Sequence, residues 1–216
     1  MNRRYLGRLL GFVLVAFASA AAPVAHAADE APDALIKRLS TDVLDSIKAD
    51  KTIQSGDVSK IIGLVDTKIM PNVNFQRMTA SAVGPSWRQA TPEQQKKLQD
   101  EFKTLLVRTY SGALAQVTSD QAITVKPMRS SPDDTDVVVR TEVKGRGDPI
   151  QLDYRLEKTP GQASGWKIYN LNVLGVWLVD TYRSQFAQEI NAKGIDGLIA
   201  TLTARNQSNN APAKKS

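Results

Sequence analysis

Apolar positions recur every three or four residues through the first half of the chain, switch to every second residue after Gln121, and return to helical spacing near the C-terminus. Leu35, Ile36, Leu39, Val43, Leu44 and Ile47 trace one face of a helix, with Asp33 expected as its cap. Val58, Ile61, Ile62, Val65 and Ile69 predict a second helix ended by Pro71, and Phe75 to Val83 predict a third closed by Gly84-Pro85. The strongest signal follows. Thr91 as N-cap, Pro92 at the first helical position and Gln94 make a capping box. Leu98, Phe102, Leu105, Leu106, Tyr110, Ala113, Leu114 and Val117 then form one apolar stripe. At ~1.5 Å per residue the rod is about 40 Å long, enough to cross a whole sheet.

Beyond Gln121, Ile123 and Val125 alternate with polar residues, Val137-Val138-Val139 is a β-branched run, and Trp166 to Val173 reads as a further strand. Ile150, Leu152, Tyr154 and Leu156 alternate with Gln151, Asp153, Arg155 and Glu157, the pattern of a half-buried strand. Short, turn-rich connectors (residues 130–134, 144–148 and 159–165) predict an antiparallel meander, since parallel crossovers need a dozen residues or more. Val179, Tyr182, Phe186 and Ile190 predict a helix interrupted at Gly194, and Leu198, Ile199 and Leu202 predict another. The sum is an α+β fold: a twisted antiparallel sheet of four to five strands covered by several helices. Residues 28–205 form one domain, and residues 206–216 have little to bury and are expected to be a disordered polar tail.

The N-terminus changes how composition is read. Arg3, Arg4 and Arg8 precede an apolar run from Leu9 to Ala22, and Ala25-His26-Ala27 supplies a small-residue cleavage pattern. That order predicts a signal peptide over residues 1–27, cleaved after Ala27, and hence export to the periplasm. Cleavage removes the chain's single histidine, and the chain has no cysteine. The three arginines account for half of the +6 net charge, and Lys214 and Lys215 for most of the rest. Nucleic acid needs clustered phosphate-neutralising charge, and none is present.

Without His or Cys, the mature chain cannot form a Ser-His-Asp triad, a Cys-His pair or a zinc site with nitrogen or sulfur ligands. Asp133, Asp134 and Asp136 lack the pattern of a calcium loop and read as a solvated turn. Gly145-Arg146-Gly147 lacks a following helix and reads as a hairpin turn. No metal or cofactor is expected. A cone-shaped enzyme using an Asp base and a Tyr donor survives this test, though Asp153 and Tyr154, adjacent on a strand, face opposite sides. An adaptor with a packed core and an exposed apolar patch also stays open, as does a pocket for a lipid.

Several separated motifs narrow the choice. Gly175-Val176-Trp177-Leu178-Val179, Tyr182-Arg183-Ser184-Gln185-Phe186 and Lys193-Gly194-Ile195-Asp196-Gly197-Leu198-Ile199 close the chain. Ile69-Met70-Pro71-Asn72-Val73-Asn74-Phe75, Trp87-Arg88-Gln89-Ala90-Thr91-Pro92-Glu93-Gln94 and Leu105 through Tyr110 precede them. In this order and spacing the chain resembles the MlaC family of periplasmic phospholipid-binding proteins, also called toluene-tolerance auxiliary components, over roughly Leu35 to Arg205. Trp177 and Asn72 depart from the family pattern, which often has a small polar residue and an aromatic or His there. The resemblance implies a phospholipid carrier without catalysis, its acyl chains held in an apolar cavity between sheet and helices. It further implies shuttling between an outer-membrane lipoprotein–porin complex and an inner-membrane ABC transporter bearing an MCE-domain protein, maintaining outer-membrane lipid asymmetry.

Apolar spacing and motif position together select the expected lining. Val65, Ile69, Val73 and Phe75 come from the early helices, and Leu105, Leu106, Tyr110 and Leu114 from the long one. Val138, Leu152 and Tyr154 come from the sheet, and Val173, Val176, Trp177, Tyr182 and Phe186 close the far side. Release of cargo requires movement, for which Gly84-Pro85 and the Gly175 turn are the expected elements.

Overall fold

The computed structural model describes residues 30–208 apart from 130, 132 and 163. The expected signal peptide and residues 209–216 lie outside the described residues. Helix α1 (Pro32–Ala49) is capped by Ala31 with Pro32 in its first turn. Asp33 therefore sits inside the helix instead of capping it, and its carboxylate accepts the amide of Ala34. A short α2 (Lys51–Gln54) is absent from the sequence reading; the Asp50 side chain caps it at the amides of Thr52 and Ile53. Asp57 does the same for α3 (Val58–Leu64). The chain then widens into a π-helical turn at Val65–Ile69 and tightens into a 3₁₀ turn at Met70–Asn72. Helix α4 (Phe75–Val83) starts at Asn74, whose side chain accepts from the Arg77 amide. It ends at Gly84, where φ of +72° requires a glycine-like backbone. The expected capping box of Thr91 and Gln94 is present at the start of the 24-residue α5 (Pro92–Ala115).

Five strands form one antiparallel meander, β1 (Ala122–Val125), β2 (Asp136–Lys144), β3 (Ile150–Lys158), β4 (Trp166–Val173) and β5 (Val176–Trp177), each paired with its sequence neighbour. The register Val137↔Leu156, Val139↔Tyr154, Thr141↔Leu152 and Val143↔Ile150 sets the two faces. On β4, Leu171 and Val173 pair with Tyr154 and Leu152. An extra residue, Tyr169, then bulges the strand, so that Ile168 and Trp166 continue on the same inner face. Helix α6 (Leu178–Ser208) follows β5 directly and breaks at Gly194, whose φ is +70°.

All the helices that cover the sheet lie on this inner face. Helix α1 packs on β1 and β2, while α4 and α6 pack on β4. The last turn of α6 extends past Arg205, so Asn206 is buried and donates to both the backbone and the carboxylate of Glu101 on α5. The domain thus includes Asn206–Ser208, residues assigned by composition to the tail. A polar tripeptide carries no apolar signal to announce such a contact.

Candidate apolar ligand site

A domain of this size ordinarily has one contiguous core. Here the buried apolar residues fall into three clusters. One joins α4, α5 and α6 around Phe102, Tyr182 and Phe186. The second joins α1 to the inner face through Leu35, Ile36, Leu39, Val139, Leu156 and Ile168. The third gathers Ile47, Ile53, Ile61, Leu64, Val65 and Val107 from α1, α2, α3 and α5. Packed against these clusters stand apolar side chains that are only partly buried. Helix α5 contributes Leu106, Tyr110 and Leu114. The inner face contributes Leu152, Tyr154, Leu171 and Val173, and the early turns contribute Ile69 and Val73.

The packing explains the division. The main helix-to-sheet packing is at β1, β2 and β4, while β3 meets helix α1 through Leu156 and the Tyr154 hydroxyl. Helix α5 itself is held by α2, α3, α4 and α6. Along its stripe Leu98, Phe102 and Leu105 are buried with α4 and α6, Leu106 and Tyr110 are partly buried against the same cluster, and Leu114 is partly buried against the cluster of α1, α2 and α3. An aromatic group fixes the α4–α5–α6 side, with Phe102 5.0 Å from Tyr182 and 5.1 Å from Phe186, both edge-on. Phe75 joins it at 5.8 Å.

Two hydroxyls on the inner face are hydrogen-bonded. The Tyr154 hydroxyl bonds with Ser40 of α1 and Thr141 of β2, and burial pushes its phenol above the ordinary value. The Thr141 hydroxyl donates to the Leu152 carbonyl at 2.7 Å. Tyr110 is likewise raised, first by burial and then by neighbouring Tyr182. Neutral phenols and apolar side chains make a surface that favours hydrocarbon. Asp153 pairs with Asn172 on the outer face while Tyr154 pairs with Leu171 on the inner one, so these two neighbours cannot act on one substrate.

The expected lining divides five ways. Ile69, Val73, Leu106, Tyr110, Leu114, Leu152, Tyr154 and Val173 are partly buried on the inward side. Phe75 belongs with the aromatic group. Val65, Leu105, Tyr182 and Phe186 are buried in the core clusters themselves. Two residues face the wrong way: Val138 pairs with Arg155, and Trp177 with Asn172, on the outer face. There the Arg155 guanidinium lies 4.3 Å from the Trp177 ring centre. Val176 has inner-face parity but is 52% exposed. Leu171 was missed, although the spacing Leu171-x-Val173 on β4 offers the signal. Two open surface clefts of about 560 and 490 Å³ lie elsewhere, one by Asp120 and Arg146 and one between α5 and α6 by Glu93 and Asp196. Neither includes any of the predicted lining residues.

The chain is thus an α+β protein, one five-stranded antiparallel sheet with helices packed on its inner face. The chain belongs to the MlaC family, whose model (MlaC protein) matches residues 37–204. It is 28% identical over 204 residues to the toluene tolerance protein ttg2D of Pseudomonas putida, covering 90% of this chain and 93% of that one. It is 26% identical over 197 residues to the intermembrane phospholipid transport system binding protein MlaC of Haemophilus influenzae, covering 90% and 89%. A solved structure of the phospholipid-binding protein from Ralstonia solanacearum, in complex with a phospholipid, superposes with a TM-score of 0.77. It shares 48% identity and covers 82% of this chain and 97% of that one.

Proposed function

We propose that this chain is a periplasmic phospholipid-binding transport protein that holds the acyl chains between α5 and the inner face of the sheet. The observation that carries the reading is the set of partly buried apolar side chains Leu106 and Tyr110 of α5 with Leu171 and Val173 of the inner face, all bordering one core cluster, in a family whose solved relative contains a phospholipid. The physical demand agrees. Two chains of about 16 carbons at ~0.8 kcal/mol per methylene would cost on the order of 25 kcal/mol to expose, so a carrier must enclose them almost fully. The polar headgroup stays in water and needs no dedicated charge clamp.

On this reading the protein catalyses no reaction. It moves phospholipid between an outer-membrane lipoprotein–porin complex and an inner-membrane ABC transporter with an MCE-domain protein, after residues 1–27 are removed on export. Among the described residues no helix is long and apolar enough to cross a membrane, which suits a carrier that leaves the bilayer. Solvent extraction of the mature protein, purified from a periplasm without detergent, tests the reading. Glycerophospholipid in stoichiometric yield is the expected result. No lipid, followed by failure to extract any from liposomes, would overturn it.

A further inference from the structure

Three large apolar side chains are exposed among the described residues, Ile150 at 38%, Leu174 at 65% and Val176 at 52%, and they lie together at one end of the sheet. Val176 pairs with Val173, the Leu174 amide donates to the Gln151 carbonyl at 3.0 Å, and Ile150 precedes Gln151. The two-residue turn joining β4 to β5 is Leu174-Gly175, with φ of +52° and +88°. Positive φ at both central positions is the hairpin geometry that favours Asn-Gly. Leucine is doubly disfavoured here, by its Cβ in the left-handed region and by exposure of its side chain. A backbone outlier of this kind points to a use for the side chain.

The surroundings indicate the use. Along β3 the inner face runs from buried Leu156 through partly buried Tyr154 and Leu152 to exposed Ile150. Along β4 it runs from buried Ile168 through partly buried Leu171 and Val173 to exposed Val176, which pairs with Val173 across the Leu174-Gly175 turn. Helix α5 loses burial in the same sense, from Leu98 and Phe102 to partly buried Tyr110 and Leu114. The chain leaves α5 for β1, whose first residue Ala122 pairs with Lys144 at this same end of the sheet. Burial on β3, β4 and α5 therefore falls toward the end of the sheet that carries the Leu174 turn.

We propose that Leu174, flanked by Ile150 and Val176, is the apolar lip over which acyl chains enter and leave the gap. The proposal rests on the carrier reading above and adds to it a residue that sets the rate of exchange without setting the amount bound. An apolar step at the mouth lowers the barrier to drawing hydrocarbon through water, while the bound state lies deeper, against Leu152 and Val173.

Leu174→Asn tests this well, because Asn tolerates the left-handed turn and the fold should be at least as stable. Uptake is followed from phosphatidylethanolamine–phosphatidylglycerol vesicles carrying a self-quenched fluorescent phospholipid, with Leu174→Met as the apolar control. The expected result is uptake slowed about tenfold in Leu174→Asn, the scale of one lost leucine contact, with final occupancy and Tm not reduced and Leu174→Met near wild type. Wild-type uptake by Leu174→Asn overturns the lip alone, as does equal slowing in Leu174→Met or a fall in Tm or final occupancy. A wild-type protein that takes up no lipid overturns the carrier reading and the lip together.

Discussion

The guanidinium of Arg77 lies 3.5 Å from the centre of the Tyr169 ring, stacked on the one residue that bulges out of β4. The same guanidinium is paired with Glu157 of β3 and lies 3.5 Å from Asp136 of β2. Glu157 also accepts from Asn74, the cap of α4, and the amide of Asn74 donates to the Ile168 carbonyl at 2.8 Å. One side chain thus fastens the start of α4, part of the roof, to three strands. Arg77→Ala should destabilise the protein by about 1 to 2 kcal/mol, since the group is partly exposed but both stacked and paired. Urea denaturation checks this. Arg77→Lys should recover little, because an ammonium cannot stack and pair in the same plane.

Tyr169 gives this region a pH signature. Burial, followed by the hydrogen bond its hydroxyl donates to Asp136, pushes the phenol from 10 up to about 12. A folded value above the unfolded one stabilises fully below pH 10, and the contribution is lost as pH rises from 10 to 12. Thermal melts of wild type should fall through that window more steeply than those of Tyr169→Phe. Parallel curves would contradict the assignment.

Leu106 and Trp177 separate the two faces of the sheet. Leu106→Glu puts a charge toward the gap and should abolish co-purification of lipid while the protein remains folded, as Leu106 is only partly buried. Trp177→Ala removes a ring stacked under Arg155 on the outer face and should leave lipid occupancy unchanged. Circular dichroism with lipid phosphorus per mole of protein reads both.

Asn206→Ala should cost about 1 to 3 kcal/mol, because the Glu101 carbonyl and carboxylate each lose a donor 3.0 and 2.7 Å away. Chemical denaturation measures it. A loss within error would return residue 206 to the tail.

How much of this was legible depended on whether local pattern and long-range placement agreed. The capping box of α5 was readable from Thr91, Pro92 and Gln94 because every contact in it is local. The alternation of β3 gave its inner row directly. In contrast, Val137-Val138-Val139 has no polar alternator, so nothing local says that Val138 turns outward; only its pairing with Arg155 does. Trp177 follows a turn whose first residue is Leu174 where a hairpin signal would be Asn, which hid both β5 and the face on which the tryptophan stands. The division of α5 into a core-facing and a gap-facing row was not readable either. Both rows are apolar, and only their long-range packing partners distinguish them.

The central claim is that acyl chains lie between α5 and β3. A phospholipid carrying a photoreactive diazirine in one acyl chain, loaded into the mature protein and irradiated, tests it most directly by peptide mapping. The account predicts cross-links on α5 between Leu106 and Leu114 and on β3 at Leu152 and Tyr154. Cross-links concentrated on Val138 and Trp177, or in the cleft of Glu93 and Asp196, would contradict it.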